Sequence, residues 1–315
     1  MSKLFLIKNP HTFQGEKRLT KEKKYFEGWY YKTSSDDNTI AFIPGISITP
    51  NSRKAFIQII TNKDSYYIDY DIEEVEYRLD PFYFKIANNI FSKDQIHIDI
   101  KSDDTKIFGN ISYSNIQTIN TSCISPNIMG PFSYFPFMEC NHAIICMKAC
   151  ANGKLKINNK KITFNDSIGY IEKDWGISFP QKYIWNQAND FENESASFMI
   201  SIADIPFKIF TFQGFICILK IKDHEYKFTT YNGAKIIKYK VSDKQIDIEI
   251  KKGKHKLFIS SAYNNTNNLI APKEGKMQTK INESIEGFTK ITLKKDEKVI
   301  FRDISKNCGL EIVTT

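Results

Sequence analysis

Two carboxylates lie two residues apart near the middle of the chain, Glu172 and Asp174, and Trp175 follows them directly. Successive side chains of a β-strand point to opposite faces, so a strand here would place both carboxylates on one face and Lys173 on the other. Two carboxyl groups on one face can share a proton, and burial of a carboxyl group against an apolar wall raises its pKa. Trp175 would supply that wall if the strand bends at Gly176. The pattern predicts an acid able to protonate a carbon–carbon double bond, although an ion-paired strand end beside a core tryptophan is the simpler alternative.

His142 and Glu139 form a second candidate pair, at the end of a run of aromatic residues. Histidine titrates near neutral pH, so His142 could accept the proton of a phenol or another hydroxyl, while Glu139 could orient it or act as an acid. No metal site is predicted, because a strand would turn the two side chains to opposite faces and no second histidine lies nearby. A lone histidine at the start of an apolar strand is also typical of a hydrogen-bonded core residue, and that interpretation stays open.

A third group of side chains combines aromatic bulk with polar tips. Such a mixture fits a ligand cavity better than a dry core, although plain core packing accounts for some of its members. The predicted substrate-binding residues are Trp29, Tyr30, Tyr134, Phe137, Asn141, Trp175, Trp185 and Gln187.

The sequence lacks the motifs of several large enzyme classes. It contains no Gly-x-Ser-x-Gly elbow, no glycine-rich phosphate loop and no dinucleotide fingerprint, which argues against kinases and nucleotide-dependent enzymes, and we predict no cofactor. The six cysteines form no Cys-x-x-Cys pair, no apolar leader opens the chain, and no stretch reaches the roughly 20 apolar residues of a membrane span. These features predict a cytoplasmic protein with reduced thiols.

The formal net charge of +8 comes mostly from lysine. It could attract the protein to an anionic surface, so peripheral membrane association is an expected property. Nucleic acid is not a predicted partner, because arginine is scarce and no long block of like charges occurs. A solvated, lysine-rich surface is the simpler interpretation of the charge.

Apolar and polar residues alternate with a period of two along much of the chain, most clearly at 95–101 and 245–251. We find no amphipathic pattern long enough for a helix of three turns. The chain is therefore predicted to be all-β, with antiparallel barrels or sandwiches and few short helices.

Trp29 and Trp175 each precede an aromatic-rich run of strand character, which suggests a duplicated barrel. The boundary is placed near residue 165, give or take about 15 residues, which gives an N-terminal β-domain at 1–165 and a C-terminal β-domain at 166–315. The basic residues 1–24 are interpreted as an extended lead-in.

Four segments, taken in order along the chain, resemble the tocopherol cyclase family: 26–32 (Phe-Glu-Gly-Trp-Tyr-Tyr-Lys), 130–142, 172–185 and the closing stretch 301–313. The resemblance implies two lipocalin-like β-barrel halves, as in the wider hydroxyneurosporene-synthase-like group. It also implies closure of a prenylated quinol to a chromanol, by protonation of an olefin and attack of the phenolic oxygen, without a redox cofactor. Asp174 departs from the asparagine of plant-type members, which leaves the substrate open.

The resulting hypothesis is an enzyme acting on a lipophilic prenyl quinol or a related prenyl substrate that enters a barrel mouth. Asp174 or Glu172 would protonate the double bond, and His142 or Glu139 would accept the hydroxyl proton. The aromatic wall of the cationic centre would be Trp29, Tyr30, Trp175 and Trp185. The alternative is a non-catalytic, lipocalin-like carrier of a hydrophobic small molecule, in which the carboxylates would form structural ion pairs. A surface-interaction protein that uses the lysine-rich face is a third hypothesis.

Overall fold

The computed structural model describes residues 2–19, 23–193, 195–207 and 210–314, and most of these residues lie in antiparallel strands. The predicted all-β class is confirmed. Helical structure within the described residues is limited to α1 (Lys3–Lys8) and to 3₁₀ turns at Glu16–Arg18, Ile72–Glu74, Gly130–Tyr134 and Thr230–Asn232. No helix in the described ranges has the length and apolar character needed to span a membrane.

The described strands before residue 177 form an eleven-stranded antiparallel sheet. They are β1 (Tyr25–Ser34), β2 (Thr39–Thr49), β3 (Ser52–Thr61), β4 (Ser65–Asp71), β5 (Val75–Arg78), β6 (Tyr83–Ile86), β7 (Asn89–Phe91), β8 (Gln95–Lys101), β9 (Lys106–Gln117), β10 (Cys140–Ile157) and β11 (Lys160–Gly176). Their order is β4-β3-β2-β1-β11-β10-β9-β8-β7-β6-β5. The first and last strands of this sheet in chain order, β1 and β11, therefore lie side by side in its interior, with β10 on the other side of β11.

The strands after residue 182 form a second antiparallel sheet. They are β12 (Tyr183–Ala188), β13 (Asp190–Phe191), β14 (Ala196–Phe207), β15 (Phe210–Ile221), β16 (His224–Thr229), β17 (Lys235–Val241), β18 (Gln245–Lys252), β19 (His255–Ala262), β20 (Asn267–Lys273), β21 (Lys276–Lys295) and β22 (Lys298–Val313). The main path is β16-β15-β14-β12-β22-β21-β19-β18-β17, while β13 pairs with β22 and β20 pairs with β21.

The chain divides into two compact units, and the main division falls after residue 179, within about 15 residues of the predicted boundary near 165. The first unit comprises residues up to 179 together with 269–280, and the second comprises 180–268 and 281–315. A boundary at 165 would cut β11, which runs without a break through that position and pairs with a strand on each side. The division therefore falls after β11 has ended.

Alternation along β11 separates the interior of the first unit from the opposite face of the sheet. Ile171 is part of the hydrophobic core, and Trp175 packs against it. Glu172 and Asp174 alternate with these core-facing residues along the strand, so their side chains project to the other face. A single strand thus carries a core on one side and two carboxylates on the other.

Candidate active site

A histidine and two carboxylates meet on the face of the first sheet opposite its core. The strand register places His142 of β10 directly beside Asp174 of β11. The His142 Nδ1 atom lies 2.9 Å from Asp174 Oδ1, which is a hydrogen-bond distance. The other ring nitrogen, Nε2, lies 3.5 Å from Glu172 Oε2, close enough for electrostatic attraction but long for a hydrogen bond. We call these three residues the carboxylate–histidine cluster.

Burial distinguishes the two carboxylates of the cluster. The side chains of His142 and Glu172 are 10% and 5% exposed, whereas the Asp174 side chain is 23% exposed. Asp174 is therefore the member most accessible to a bound molecule.

The charge of His142 follows from its surroundings. Burial by itself lowers the pKa of the imidazole, but attraction to Asp174 and Glu172 and the hydrogen bond with Asp174 together outweigh burial and raise the pKa of His142 to about 9. His142 is therefore an imidazolium at neutral pH. The sequence suggested a proton acceptor at this position, whereas the raised pKa favours the protonated form.

Tyr170 extends the cluster, although it was not among the predicted site residues. Its hydroxyl donates a hydrogen bond to Glu172 Oε2 at 2.5 Å. Burial, reinforced by the charge of Glu172, raises the pKa of Tyr170 well above its ordinary value, so the phenol remains a neutral donor. The spacing of Tyr170, Glu172 and Asp174 has the period of two that places side chains on one strand face, and this signal could have identified the tyrosine.

Two glycines leave the sheet surface beside Asp174 without side chains. Gly28 of β1 is the register partner of Asp174, and Gly45 of β2 is the partner of Gly28. Phe56 of β3 continues this row as the partner of Gly45. A Cβ atom on Gly45 would lie 2.5 Å from the Phe56 ring, whereas one on Gly28 would meet nothing closer than 3.6 Å. The ring of Phe56 therefore leans over Gly45 and borders a bare strip above Gly28, next to Asp174. We call this strip the glycine strip.

The opposite face of β11 carries a buried ion pair. Lys173 Nζ lies 2.6 Å from Glu27 Oε1, and both side chains are fully buried. The ammonium group also lies 4.7 Å and 4.8 Å from the ring centres of Trp29 and Trp175, within cation–π range. Burial lowers the pKa of Lys173 to about 8, in spite of the attraction of Glu27.

The chain before β1 packs against this ion pair. Lys173 Nζ donates hydrogen bonds to the carbonyl oxygens of Pro10 and Thr12, at 2.9 Å and 2.5 Å. The backbone N–H of Gln14 donates to Glu27 Oε1 at 2.8 Å, and Phe13 is completely buried. The prediction of an extended lead-in is therefore wrong for residues 10–14, which pack against the buried ion pair, whereas α1 has no buried residue.

The predicted tryptophan wall is also wrong for the first unit. Trp29 and Trp175 lie on the core side of the sheet, because β11 stays extended as far as Gly176 and its side chains keep alternating. Trp29 is fully buried, and its Nε1 donates to the carbonyl of His11 at 2.9 Å. Core packing, the simpler alternative, accounts for both rings.

Two further predicted binding residues lie on opposite faces of the first sheet. Asn141 is the register partner of Trp175, and its side-chain amide donates to the Trp175 carbonyl at 3.3 Å, so Asn141 lies away from the cluster. Tyr30 is the partner of Glu172 and shares the face of the cluster, with its ring 6.5 Å from that of Tyr170. Tyr30 is the predicted aromatic residue of β1 that borders the site.

Glu139, Tyr134 and Phe137 lie before β10 rather than in the cluster. The Glu139 carbonyl accepts a hydrogen bond from the N–H of Ile177 at 2.8 Å, and burial raises the pKa of the Glu139 carboxyl group. Tyr134 and Phe137 are exposed on the loop that leads to it.

Trp185 and Gln187 belong to the second unit, where both are buried on β12. They share a face of their own sheet with Tyr183, whose hydroxyl donates to Glu311 Oε2 at 2.5 Å. This tyrosine–carboxylate pair was not predicted, because it joins two strands from distant parts of the sequence.

The cluster is also the arrangement in the described ranges that comes nearest to a metal site. His142, Glu172 and Asp174 each offer one ligand atom, and these atoms lie within 4.8 Å of one another. A cation would have to displace the proton that His142 shares with Asp174, because a ligating histidine nitrogen must be unprotonated. The donor set fits a shared proton better than a bound ion.

Comparisons with known proteins agree with this fold. A family model described as tocopherol cyclase-like matches residues 106–314. Tocopherol cyclase, chloroplastic, from Zea mays is 30% identical over 74 residues, a stretch that covers 24% of this chain and 16% of the maize protein. The match thus spans a small part of the curated relative.

Two solved structures share the architecture over nearly the whole chain. CghA with Sch210972 has a TM-score of 0.55 at 9% identity, covering 93% of this chain and 89% of that one. Kievitone hydratase from Nectria haematococca has a TM-score of 0.54 at 11% identity, covering 93% and 90%. At these identities the likeness shows the fold alone, and the expected lipocalin-like fold is confirmed.

Proposed function

Because the chain belongs to the tocopherol cyclase-like family, we propose that it is an enzyme of cyclase or hydratase type that transfers a proton to a carbon–carbon double bond. The observation that carries the proposal is the position of His142 between Glu172 and Asp174 on a buried face, where the two carboxylates raise its pKa. Addition to an alkene needs a positioned proton and a dry surrounding that stabilises the cation formed. The cluster and the aromatic rings beside it offer both.

The proposed reaction balances without an oxidant or reductant. The Nδ1 proton of His142 passes through Asp174 to one alkene carbon, forming a C–H bond and leaving a carbocation on the other. A phenolic oxygen of the same substrate attacks this carbocation and forms the C–O bond. The phenolic proton then returns to the pair of His142 and Asp174, so the product is an isomer of the substrate.

The groups around the cluster have separate tasks in this scheme. Asp174 touches the substrate, because it is the accessible carboxylate. Glu172, fixed by Tyr170, orients His142 and stabilises positive charge. The rings of Phe56 and Tyr30 border the cluster face, where they can attract a carbocation through their π-electrons.

The substrate we propose is a lipophilic prenyl quinol or a related prenylated phenol. The glycine strip offers a flat, apolar surface for a prenyl chain beside Asp174. If water rather than a phenol captures the carbocation, the same cluster would catalyse hydration, and the product would gain one water molecule.

The carrier hypothesis makes a different demand on the fold. A carrier needs an internal cavity, whereas Phe13, Trp29 and Lys173 are completely buried on the core side of the first sheet. This observation favours chemistry at the cluster over storage of a ligand inside the first unit.

Turnover of a prenylated hydroquinone dispersed in detergent tests the proposal. We expect wild-type protein to give a product of unchanged mass with a new ether ring. Asp174→Asn and His142→Gln should each reduce the rate at least about a hundredfold, a loss typical of a missing general acid. Asp166→Asn is the matched control, because Asp166 is an exposed acid on the same strand, and it should leave the rate unchanged.

Recovery of unaltered substrate after long incubation with wild-type protein would contradict catalysis and favour carriage. Full activity in the Asp174 and His142 variants would contradict the assignment of the cluster. Loss of activity on adding EDTA, restored by a divalent cation, would show instead that the three ligand atoms hold a metal ion.

A further inference from the structure

A group of large apolar side chains is exposed at one place on the first unit. Most of them come from the segment 123–137, which we call the aromatic loop, and one follows β11. The exposed fractions are 73% for Ile124, 50% for Phe137, 44% for Ile177, 40% for Phe135 and 37% for Tyr134. Single exposed apolar residues are ordinary, but a contiguous group calls for a partner.

Contacts within the loop join these side chains into one surface. The Tyr134 hydroxyl donates to the carbonyl of Cys123 at 2.5 Å, which ties the two halves of the loop together. The rings of Phe135 and Phe137 have centres 5.4 Å apart. Ile177 lies beside the residues that follow the loop, because its N–H donates a hydrogen bond to the Glu139 carbonyl.

Charge is absent from this part of the sequence. A quarter of the chain is charged, yet no Asp, Glu, Lys or Arg occurs between Lys106 and Glu139. A loop that binds a protein partner ordinarily carries a polar, partly charged rim. An aromatic, uncharged loop is typical of a segment that enters the boundary between lipid headgroups and acyl chains.

We propose that the aromatic loop docks the protein on the surface of an anionic lipid bilayer. Phe135, Phe137 and Ile124 would enter the acyl boundary, and the hydroxyl of Tyr134 would remain at headgroup level. The net charge of +8 complements anionic headgroups and would hold the protein at the surface. The occupant of this surface is therefore a lipid bilayer rather than a second copy of the chain.

The position of the loop links docking to the proposed function, and this step rests on that function. The loop ends at Phe137, five residues before His142. A prenylated substrate partitions into bilayers, so docking here would bring the carboxylate–histidine cluster to the phase that contains the substrate.

Co-sedimentation with vesicles tests the docking. We compare vesicles of phosphatidylcholine alone with vesicles that contain phosphatidylglycerol as well. Wild-type protein should bind the anionic vesicles, and binding should weaken with added salt. The double variant Ile124→Ser/Phe135→Ser should bind at least about tenfold more weakly, because each side chain loses apolar burial.

The matched control is Val299→Ser/Ile300→Ser, a pair of similarly exposed apolar residues on the second unit. We expect it to bind vesicles like the wild type. Equal binding by the loop variant and the wild type, or no binding by either, would overturn the proposal. Concentration-dependent dimerisation that the loop variant abolishes, without vesicle binding, would also overturn it in favour of a second copy.

These measurements distinguish a failure of the docking proposal from a failure of the proposed function. Vesicle binding by a wild-type protein that turns over no prenylated hydroquinone would leave docking standing and refute the proposed function. In detergent, where no bilayer has to be reached, the loop variant should keep wild-type turnover. A loop variant that binds anionic vesicles normally but is inactive in detergent would refute docking and assign the aromatic loop to the substrate site.

Discussion

At the scale of single residues, the account depends on one imidazole between two carboxylates. The period-2 pattern predicted that Glu172 and Asp174 share a face, and the register confirms it. His142 was predicted as a candidate, but its position between the two acids depends on the pairing of β10 with β11, which alternation along one strand does not reveal. Trp175 was wrongly assigned as the apolar wall of the acid. β11 stays extended as far as Gly176, so the Trp175 ring stays on the core side of the sheet.

The raised pKa of His142 links folding stability to pH. The pKa rises from 6.5 to about 9 in the folded protein, so the folded state binds this proton more tightly than the unfolded state. The stabilisation is complete below pH 6.5 and is lost as pH rises through 9. Between pH 6.5 and 8, the difference in unfolding free energy between wild type and His142→Gln should shrink by about 1.5 kcal/mol.

Urea unfolding at several pH values measures this difference. Lys173 acts in the opposite sense, because its pKa is lowered to about 8 and its contribution to stability rises above that pH. The window below pH 8 therefore isolates His142. A difference that stays constant from pH 6.5 to 8 would show that the imidazole is not protonated between the carboxylates.

The glycine strip gives a second test at the same scale. A Cβ on Gly28 meets nothing closer than 3.6 Å, so Gly28→Ala should fold normally, and Gly28→Val adds two methyl groups at the same place. Their side chains would fill the strip beside Asp174, and kcat/KM should fall in steps, by about tenfold or more for valine.

Gly45→Ala provides the contrast, because its Cβ would lie 2.4 Å from the Glu27 carbonyl oxygen and 2.5 Å from the Phe56 ring. This variant should lower the melting temperature instead. Wild-type kcat/KM in Gly28→Val would contradict a substrate position above the strip.

At the scale of elements, β11 contributes Glu172 and Asp174 to the carboxylate–histidine cluster, and its two faces are anchored differently. Lys173 is held from the core side by Glu27, two tryptophan rings and the carbonyls of residues 10 and 12. This anchoring fixes the strand between Glu172 and Asp174. The sequence showed the lysine between the acids, but Glu27, Trp29 and the carbonyls of residues 10 and 12 lie more than a hundred residues earlier, so these contacts could not be predicted without the fold.

Removing one partner of this buried pair should be costly. Lys173→Met leaves the Glu27 carboxylate buried without its ammonium, and we expect a loss of about 3–5 kcal/mol in unfolding free energy. The double variant Lys173→Met/Glu27→Gln should recover much of that loss, because it removes both charges. Urea unfolding of the two variants checks this.

Lys54→Met is the control, because its ion pair with Asp71 is exposed and its loss should not be measurable. If Lys173→Met proves as stable as the wild type, the ion pair does not anchor β11.

At the scale of the whole molecule, composition and alternation were enough to predict the all-β class, and four short motifs were enough to predict the family, whose model matches residues 106–314. The division into units was harder to predict. Residues 269–280 return to the first unit, where the Gln58 side chain exchanges two hydrogen bonds of 2.9 Å with the backbone of Ile270. Such a return depends on contacts between residues far apart in sequence, which local patterns do not encode.

The most direct test of the central claim follows the proton. Turnover of a prenylated hydroquinone in D₂O should place one deuterium atom on the former alkene carbon, because exchangeable protons of the cluster equilibrate with solvent before transfer. Mass spectrometry and NMR of the product locate the label. Asp174→Asn should abolish its appearance, while Asp166→Asn should not. A cyclised product with no carbon-bound deuterium, or equal labelling with Asp174→Asn, would contradict proton delivery by the carboxylate–histidine cluster.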